Sequence, residues 1–122
     1  MKMLISDDSI SIRERLVRMF STMEGIELVG EAQDVRRAYD AIRTLRPDVV
    51  VLDIQMGEGS GIDLLRDVKQ NYPATVAIML TNYPYPQYRQ RCLDLGADYF
   101  FSKSTDLKLM IETVQQLVEA HS

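Results

Sequence analysis

The chain has 122 residues, 14 Lys and Arg against 18 Asp and Glu, a net charge of −4 and one cysteine. This length predicts one domain over residues 1–122, since domains cluster near about 100 to 150 residues. One cysteine forms no intrachain disulfide and no N-terminal stretch resembles a signal peptide, so we expect a cytoplasmic setting. The acidic balance argues against direct nucleic-acid binding, and every apolar run is shorter than the roughly 18 residues of a membrane helix.

Aliphatic runs alternate with segments of helical period, which is typical of a parallel sheet with crossover helices. The runs that predict strands are residues 3–6, 27–32, 49–52, 75–80 and 99–102. Apolar stripes between and after them predict five helices. We expect caps at Asp34 for the second helix and at Ser104 for the fifth. The fourth is expected to begin near Pro86 and to bury Tyr88. The pattern therefore predicts an α/β fold with an open, doubly wound sheet.

Polar side chains stand where the predicted strands end. The first strand ends in Asp7 and Asp8, the third in Asp53, the fourth in Thr81 and the fifth in Lys103. Ligands of open parallel sheets bind beyond the carboxyl ends of the strands, so these side chains are expected at one edge. Singly, each has an ordinary explanation, such as acids favoured at a helix N-terminus. Asp53 is the exception, because a charge directly after four aliphatic residues needs a partner.

Carboxylates gathered at one edge repel one another unless a cation shares the site. A set of oxygen ligands without His or Cys suits Mg²⁺. A carboxylate beside such an ion and an ammonium can attack phosphorus. The metal and Lys103 would then neutralise the phosphoryl oxygens, and Thr81 would donate a hydrogen bond to them. The residues alone therefore predict phosphoryl transfer to an aspartate.

As a set, these residues resemble the receiver domains of response regulators in two-component signalling. The resemblance covers nearly the whole chain and rests on Asp7, Asp8, Asp53, Gly61, Thr81, the Gly96-Ala97-Asp98 segment and Lys103. The Lys-Ser ending at Lys103 and the segment at residues 29–32 look more like receivers of the helix-turn-helix regulator branch. The resemblance implies a flavodoxin-like sheet of five parallel strands, in the order 2-1-3-4-5, with five helices.

The resemblance also implies a role for each site residue. Asp53 would accept a phosphoryl group from a histidine kinase or phosphotransfer protein. The implied Mg²⁺ ligands are Asp7, Asp8, Asp53 and the backbone carbonyl of Gln55. Lys103 and Thr81 would bind the phosphoryl group, and Phe100 would be the aromatic residue that moves with Thr81. The chain would then bind a downstream protein or form a homodimer, catalysing only its own phosphorylation and dephosphorylation.

Two segments depart from the usual pattern of the family. Gly57 stands where a proline is common, which predicts a looser stretch at residues 57–61 because glycine adds backbone freedom. Three tyrosines and two prolines follow Thr81, and we interpret Tyr83 and Tyr85 as part of an output face. The alternative is that the prolines set the turn and the tyrosines pack the fourth helix.

Other functions remain possible at this point. A Mg²⁺-dependent phosphohydrolase with an aspartyl-phosphate intermediate would use the same chemistry. Haloacid dehalogenase-like enzymes, however, place a second acid where this chain has Gln55. A receiver-like scaffold that no longer accepts phosphate is disfavoured because every required side chain is present. No linker follows Ala120, which favours a free-standing regulator over a domain of a longer one.

Overall fold

Five parallel strands form the main sheet of the computed structural model, which describes residues 1–121. The strands of the whole fold are β1 (Lys2–Ser6), β2 (Glu27–Ala32), β3 (Val49–Leu52), β4 (Gln55–Met56), β5 (Gly59–Ser60), β6 (Val76–Thr81) and β7 (Tyr99–Ser102). The main sheet has the order β2-β1-β3-β6-β7, and β4 pairs with β5 as a separate hairpin. Numbered among themselves, the five main strands have the order 2-1-3-4-5, which confirms the prediction.

Five helices connect and follow these strands. They are α1 (Ile10–Ser21), α2 (Val35–Leu45), α3 (Gly61–Asn71), α4 (Pro86–Asp94) and α5 (Leu107–His121). Side-chain oxygens of Ser9, Asp34 and Ser60 accept backbone N–H bonds at the starts of α1, α2 and α3. The predicted cap at Asp34 is therefore confirmed. Within residues 1–121, no helix has both the length and the apolar character that crossing a membrane requires.

Both faces of the sheet are buried. On one face Leu4, Val50 and Leu52 pack against α2, α3 and α4. On the other, residues such as Val49 and Val51 pack against α1 and α5. This explains why the central strands are continuously aliphatic, as parallel strands covered on both sides are. The more polar β2 lies at an edge of the sheet.

Helix α5 begins later than predicted, and its expected cap at Ser104 is wrong. The helix starts at Leu107, and the Asp106 carbonyl accepts the N–H of Met110. The Asp106 carboxylate also accepts the N–H of Ser102 at 2.8 Å, which fastens the helix to the end of β7. Ser104 instead lies with its Oγ 3.0 Å from the Ser102 hydroxyl.

Helix α4 is short and meets the core through little of its surface. It begins at Pro86, as predicted, where a missing N–H costs nothing. Cys92 is its only fully buried residue, and burial raises the pKa of that thiol to about 11. The prediction that Tyr88 is buried is wrong, because its side chain stands on the exposed side of this nine-residue helix.

The glycine-rich stretch after β3 forms the β4–β5 hairpin, which the sequence did not predict. Its two-residue loop begins with Gly57, whose φ of 63° favours glycine. Gly61 follows the hairpin and packs against the backbone of Asp53. A Cβ at Gly61 would lie 1.6 Å from the Asp53 carbonyl oxygen, so a side chain there would displace the segment that carries the site.

Candidate functional site

The structure brings the predicted site residues to one edge of the sheet. Asp7 and Asp53 follow the adjacent strands β1 and β3, and Thr81 ends β6. Lys103 follows β7, and its N–H continues the ladder by donating to the Thr81 carbonyl at 2.8 Å. Its long side chain crosses β6 to reach the two acids, so side chains that follow β1, β3 and β7 meet beside the end of β6.

A buried ammonium bridges two buried carboxylates at this edge of the sheet. Lys103 Nζ lies 2.6 Å from Asp7 Oδ2 and 2.8 Å from Asp53 Oδ2. None of the three side chains is more than 7% exposed. Each charge therefore has a partner, as buried charges require. The cluster of these three groups still carries one excess negative charge.

Backbone N–H groups orient the remaining carboxylate oxygens. The N–H of Ser9 donates to Asp7 Oδ1 at 2.9 Å, and the N–H of Ile54 donates to Asp53 Oδ1 at 2.7 Å. Asp8 differs because its side chain is exposed, and Asp8 Oδ2 accepts the N–H of Gly57 at 3.2 Å. The acids are thus held by neighbouring turns and not by packing alone.

The two central charges have shifted pKa values. Burial raises the pKa of Asp53, although the hydrogen bond and charge of Lys103 oppose this, and the nearby Asp7 adds to the rise. Burial disfavours the Lys103 ammonium, but its bonds to Asp53 and Asp7 outweigh burial and leave its pKa raised. Lys103 is therefore a cation at neutral pH.

The three acids form a group that suits a hard cation. Asp7, Asp8 and Asp53 each offer a carboxylate oxygen, and these atoms all lie within 4.8 Å of one another. Three carboxylates against the Lys103 ammonium leave two excess negative charges, which a divalent ion would balance. The donor set consists of oxygen, which Mg²⁺ prefers. Gln55, the remaining predicted ligand, begins β4 two residues after Asp53, and its side chain is exposed.

The predicted switch residues are both buried. Thr81 Oγ1 accepts the N–H of Tyr83 at 2.9 Å. Phe100 packs in the core on the side of α4 and points inward in this structure. The Arg89 guanidinium lies 5.8 Å from the Phe100 ring centre and donates to the Phe100 carbonyl at 3.3 Å.

The tyrosines after Thr81 form an exposed cluster. Tyr83, Tyr85 and Tyr88 are between 36% and 51% exposed. Ring centres lie 6.4 Å apart for Tyr83 and Tyr85, and 5.8 Å apart for Tyr85 and Tyr88. The rings therefore contact one another on the surface. Because Tyr88 lies on α4, the Tyr85 ring also packs against that helix, so the output-face interpretation stays a prediction.

Two residues near the site were not predicted from the sequence. Ser9 caps α1 and also orients Asp7, and a serine between two acids and an apolar stripe is a recognisable capping signal. Arg13 donates to the Asp7 carbonyl at 2.5 Å and lies 3.5 Å from Glu31. Nothing in the sequence signals Arg13, because its role depends on how α1 lies against β2.

The family model of the response regulator receiver domain matches residues 3–115 of the chain. The chain belongs to this family, and it is a receiver domain of two-component signalling. It is 34% identical over 115 residues to the transcriptional regulatory protein YhcZ of Bacillus subtilis, covering 94% of this chain and 54% of that protein. It spans about half the length of the curated relatives it matches first.

Solved structures agree with this assignment. The signal receiver domain of a DNA-binding response regulator (merR) from Colwellia psychrerythraea has a TM-score of 0.89 and 26% identity, covering 97% of this chain and 98% of that one. A chain of the CheX–CheY–BeF3–Mg²⁺ complex from Borrelia burgdorferi has a TM-score of 0.87 and 27% identity, covering 95% and 87%. The matches to transcriptional and DNA-binding regulators confirm the resemblance to the helix-turn-helix branch.

Proposed function

We propose that the chain is a switch operated by phosphorylation of Asp53, with a histidine kinase or phosphotransfer protein as donor. The observation that carries this proposal is the single ammonium of Lys103 shared between Asp7 and Asp53. An acid that is buried, oriented by the N–H of Ile54 and paired with a cation is prepared for attack on phosphorus.

In the proposed reaction, a carboxylate oxygen of Asp53 forms a bond to phosphorus. The bond from phosphorus to the donor nitrogen or oxygen breaks, and the leaving group keeps its electron pair. Lys103 would move from the Asp53 carboxylate to a phosphoryl oxygen. Mg²⁺ would be held by Asp7, Asp8, Asp53 and the backbone carbonyl of Gln55. When bound, it would supply charge neutralisation at the phosphoryl oxygens.

The conformational response is proposed to begin at Thr81. Its hydroxyl accepts a bond from the N–H of Tyr83, and as a donor it is free to turn toward a phosphoryl oxygen. That turn would release the N–H of Tyr83 and reposition the start of the loop before α4, with Phe100 adjusting beside it. Phosphorylation would thus bias an equilibrium between two arrangements.

The output face is proposed to include Tyr83 and Tyr85, which would contact a downstream protein or a second copy of the chain. Residues 1–122 would act as one receiver domain in the cytoplasm, where the proposed kinase and regulatory targets lie. The chain would make no direct contact with nucleic acid, and it would catalyse only the gain and loss of its own phosphoryl group.

Intact-mass spectrometry after incubation with Mg²⁺ and acetyl phosphate tests this function. We expect one added phosphoryl group in the wild type, none in Asp53→Asn, and one in the matched control Asp63→Asn, whose carboxylate is exposed on α3. No adduct in the wild type, or an equal adduct in Asp53→Asn, contradicts the proposal. Multiple turnover of a simple phosphate ester would instead support a phosphohydrolase.

A further inference from the structure

A cleft of about 440 Å³ lies between the β4–β5 hairpin and the loop before α4. Its lining includes Ile54, Gln55, Glu58, Ile62, Tyr83 and Tyr88. It opens at the same edge of the sheet as Asp53 but lies outside the group of three acids. A volume of this size admits a long side chain of another protein.

One wall of the cleft is aromatic, and its rings contact a third ring beside it. Tyr83 and Tyr88 line it, and Tyr85 contacts both of their rings. Pro84 and Pro86 fix φ on either side of Tyr85, which restricts the backbone that carries the rings. Little conformational entropy would therefore be lost when a ligand binds this wall.

The opposite wall supplies a negative charge. Glu58 is the only charged side chain in the lining, and it is exposed. Across residues 1–121, Glu58 takes part in none of the ion pairs that the structure contains. The faces of tyrosine rings also carry partial negative charge. Rings and carboxylate together attract a cation and disfavour an anion.

We propose that this cleft binds an arginine side chain of a partner protein. The planar guanidinium would stack on Tyr83 or Tyr88 and pair with the Glu58 carboxylate. Arginine fits better than lysine because a planar guanidinium both stacks on aromatic faces and binds a carboxylate through two N–H groups. This inference deepens the proposed output face and rests on that function for its link to phosphorylation.

Both walls of the cleft are hydrogen-bonded to the phosphorylation site. The N–H of Tyr83 donates to Thr81 Oγ1, and the N–H of Ile54 donates to Asp53 Oδ1. A change at Asp53 or Thr81 therefore alters the spacing of the walls. Coupling between two sites is reciprocal, so phosphorylation changes the affinity for arginine, and bound arginine changes the extent of phosphorylation.

Titration of ¹⁵N-labelled protein with the peptide acetyl-Gly-Arg-Gly-amide tests the cleft by NMR. We expect saturable shifts at the amides of Glu58, Tyr83 and Tyr88. The citrulline peptide, which is neutral and similar in shape, should produce none. An equal response to citrulline, or to the lysine peptide, overturns the arginine assignment, as does the absence of saturable shifts.

Variants localise the effect. Tyr88→Leu and Glu58→Gln should each weaken peptide binding about two- to fivefold, the effect of losing one exposed cation–π contact or ion pair. Glu112→Gln removes an exposed acid on α5 and should leave the affinity unchanged. Equal weakening in Glu58→Gln and Glu112→Gln, with no weakening in Tyr88→Leu, would reduce the effect to net charge and overturn the site. Self-association that Glu58→Gln abolishes would assign the cleft to a second copy, which also overturns the proposal.

The same preparation separates this inference from the proposed function. If acetyl phosphate adds a phosphoryl group but leaves the peptide affinity unchanged, the coupling is wrong while the phosphorylation stands. If no adduct forms, the phosphorylation proposal fails, and the titration of the unmodified protein still decides whether the cleft binds arginine.

Discussion

The two ends of the sheet each carry a lysine–aspartate ion pair, and the two pairs are built differently. At the amino ends of β6 and β7, Lys69 Nζ contacts Asp98 at 3.1 Å and also donates to the carbonyls of Pro73 and Thr75. Its three N–H donors thus have three acceptors. Asp98 in turn accepts the N–H of Ala77 at 2.8 Å. This ion pair is balanced in charge and satisfied in hydrogen bonds.

At the carboxyl ends of the strands, by contrast, carboxylates outnumber the lysine. Lys103 faces two buried acids, and Asp8 adds a third carboxylate beside them. Under the proposed function, the same residue types serve structure at one end and phosphoryl transfer at the other. The two ion pairs differ in the excess of negative charge around Lys103, which favours the binding of a cation.

The largest expected effect is the loss of Lys103. Lys103→Met leaves Asp7 and Asp53 buried without their cation, and breaking a buried pair costs about 3–5 kcal/mol. Urea unfolding at neutral pH, without divalent ions, measures the change in the free energy of unfolding. Lys108→Met, on the exposed side of α5, is the control and should change it by less than about 0.5 kcal/mol. An equally small loss of unfolding free energy in Lys103→Met would show that the buried ion pair contributes no more than an exposed lysine does.

Lys69→Met should cost less, about 1 kcal/mol, because its partner Asp98 is partly exposed and regains water. The same unfolding experiment measures it. We further expect the loss to be the same with and without Mg²⁺, since the Lys69–Asp98 pair holds no excess charge. A loss that Mg²⁺ reverses would mean that the two ends are not distinct.

Asp53→Asn should stabilise the apo protein by on the order of 1 kcal/mol, because it removes the excess buried charge while Lys103 keeps Asp7 as its partner. Burial raises the pKa of Asp53 above its ordinary 3.8, so ionisation of this group destabilises the fold. Its contribution is most favourable below pH 3.8 and declines as the pH rises through the folded-state pKa. The advantage of Asn should therefore grow with pH over that range. Unfolding curves in EDTA at several pH values test this, and an advantage that shrinks with rising pH would contradict it.

Most of the main sheet and of the site could be predicted because one sequence pattern, an aliphatic run followed by a polar residue, indicates both. Continuous aliphatic runs mark covered parallel strands, and the polar residue after each run necessarily lies at the carboxyl edge, as Asp53 does after β3. The β4–β5 hairpin escaped prediction because two-residue strands have no measurable period. Its close approach to Asp53 at Gly61 is a tertiary contact that no local pattern encodes.

The errors have physical causes of the same kind. The predicted cap at Ser104 is wrong because a serine before an apolar stripe is a good local signal, whereas the position of α5 depends on a tertiary bond. That bond joins the N–H of Ser102 to the Asp106 carboxylate. The burial predicted for Tyr88 on α4 is wrong for a similar reason. Whether such a residue is buried depends on how closely α4 approaches the sheet, which the sequence does not determine.

Thermal unfolding with increasing Mg²⁺ tests the central contrast most directly. Binding to the folded state alone stabilises it by about 1.4 kcal/mol when Mg²⁺ exceeds its Kd tenfold. The melting temperature of the wild type should therefore rise with Mg²⁺. Asp8→Asn, which removes the exposed member of the acidic group, should lose most of that rise, and Asp48→Asn at the opposite end should keep it. An equal rise in all three proteins, or none in the wild type, would contradict the account.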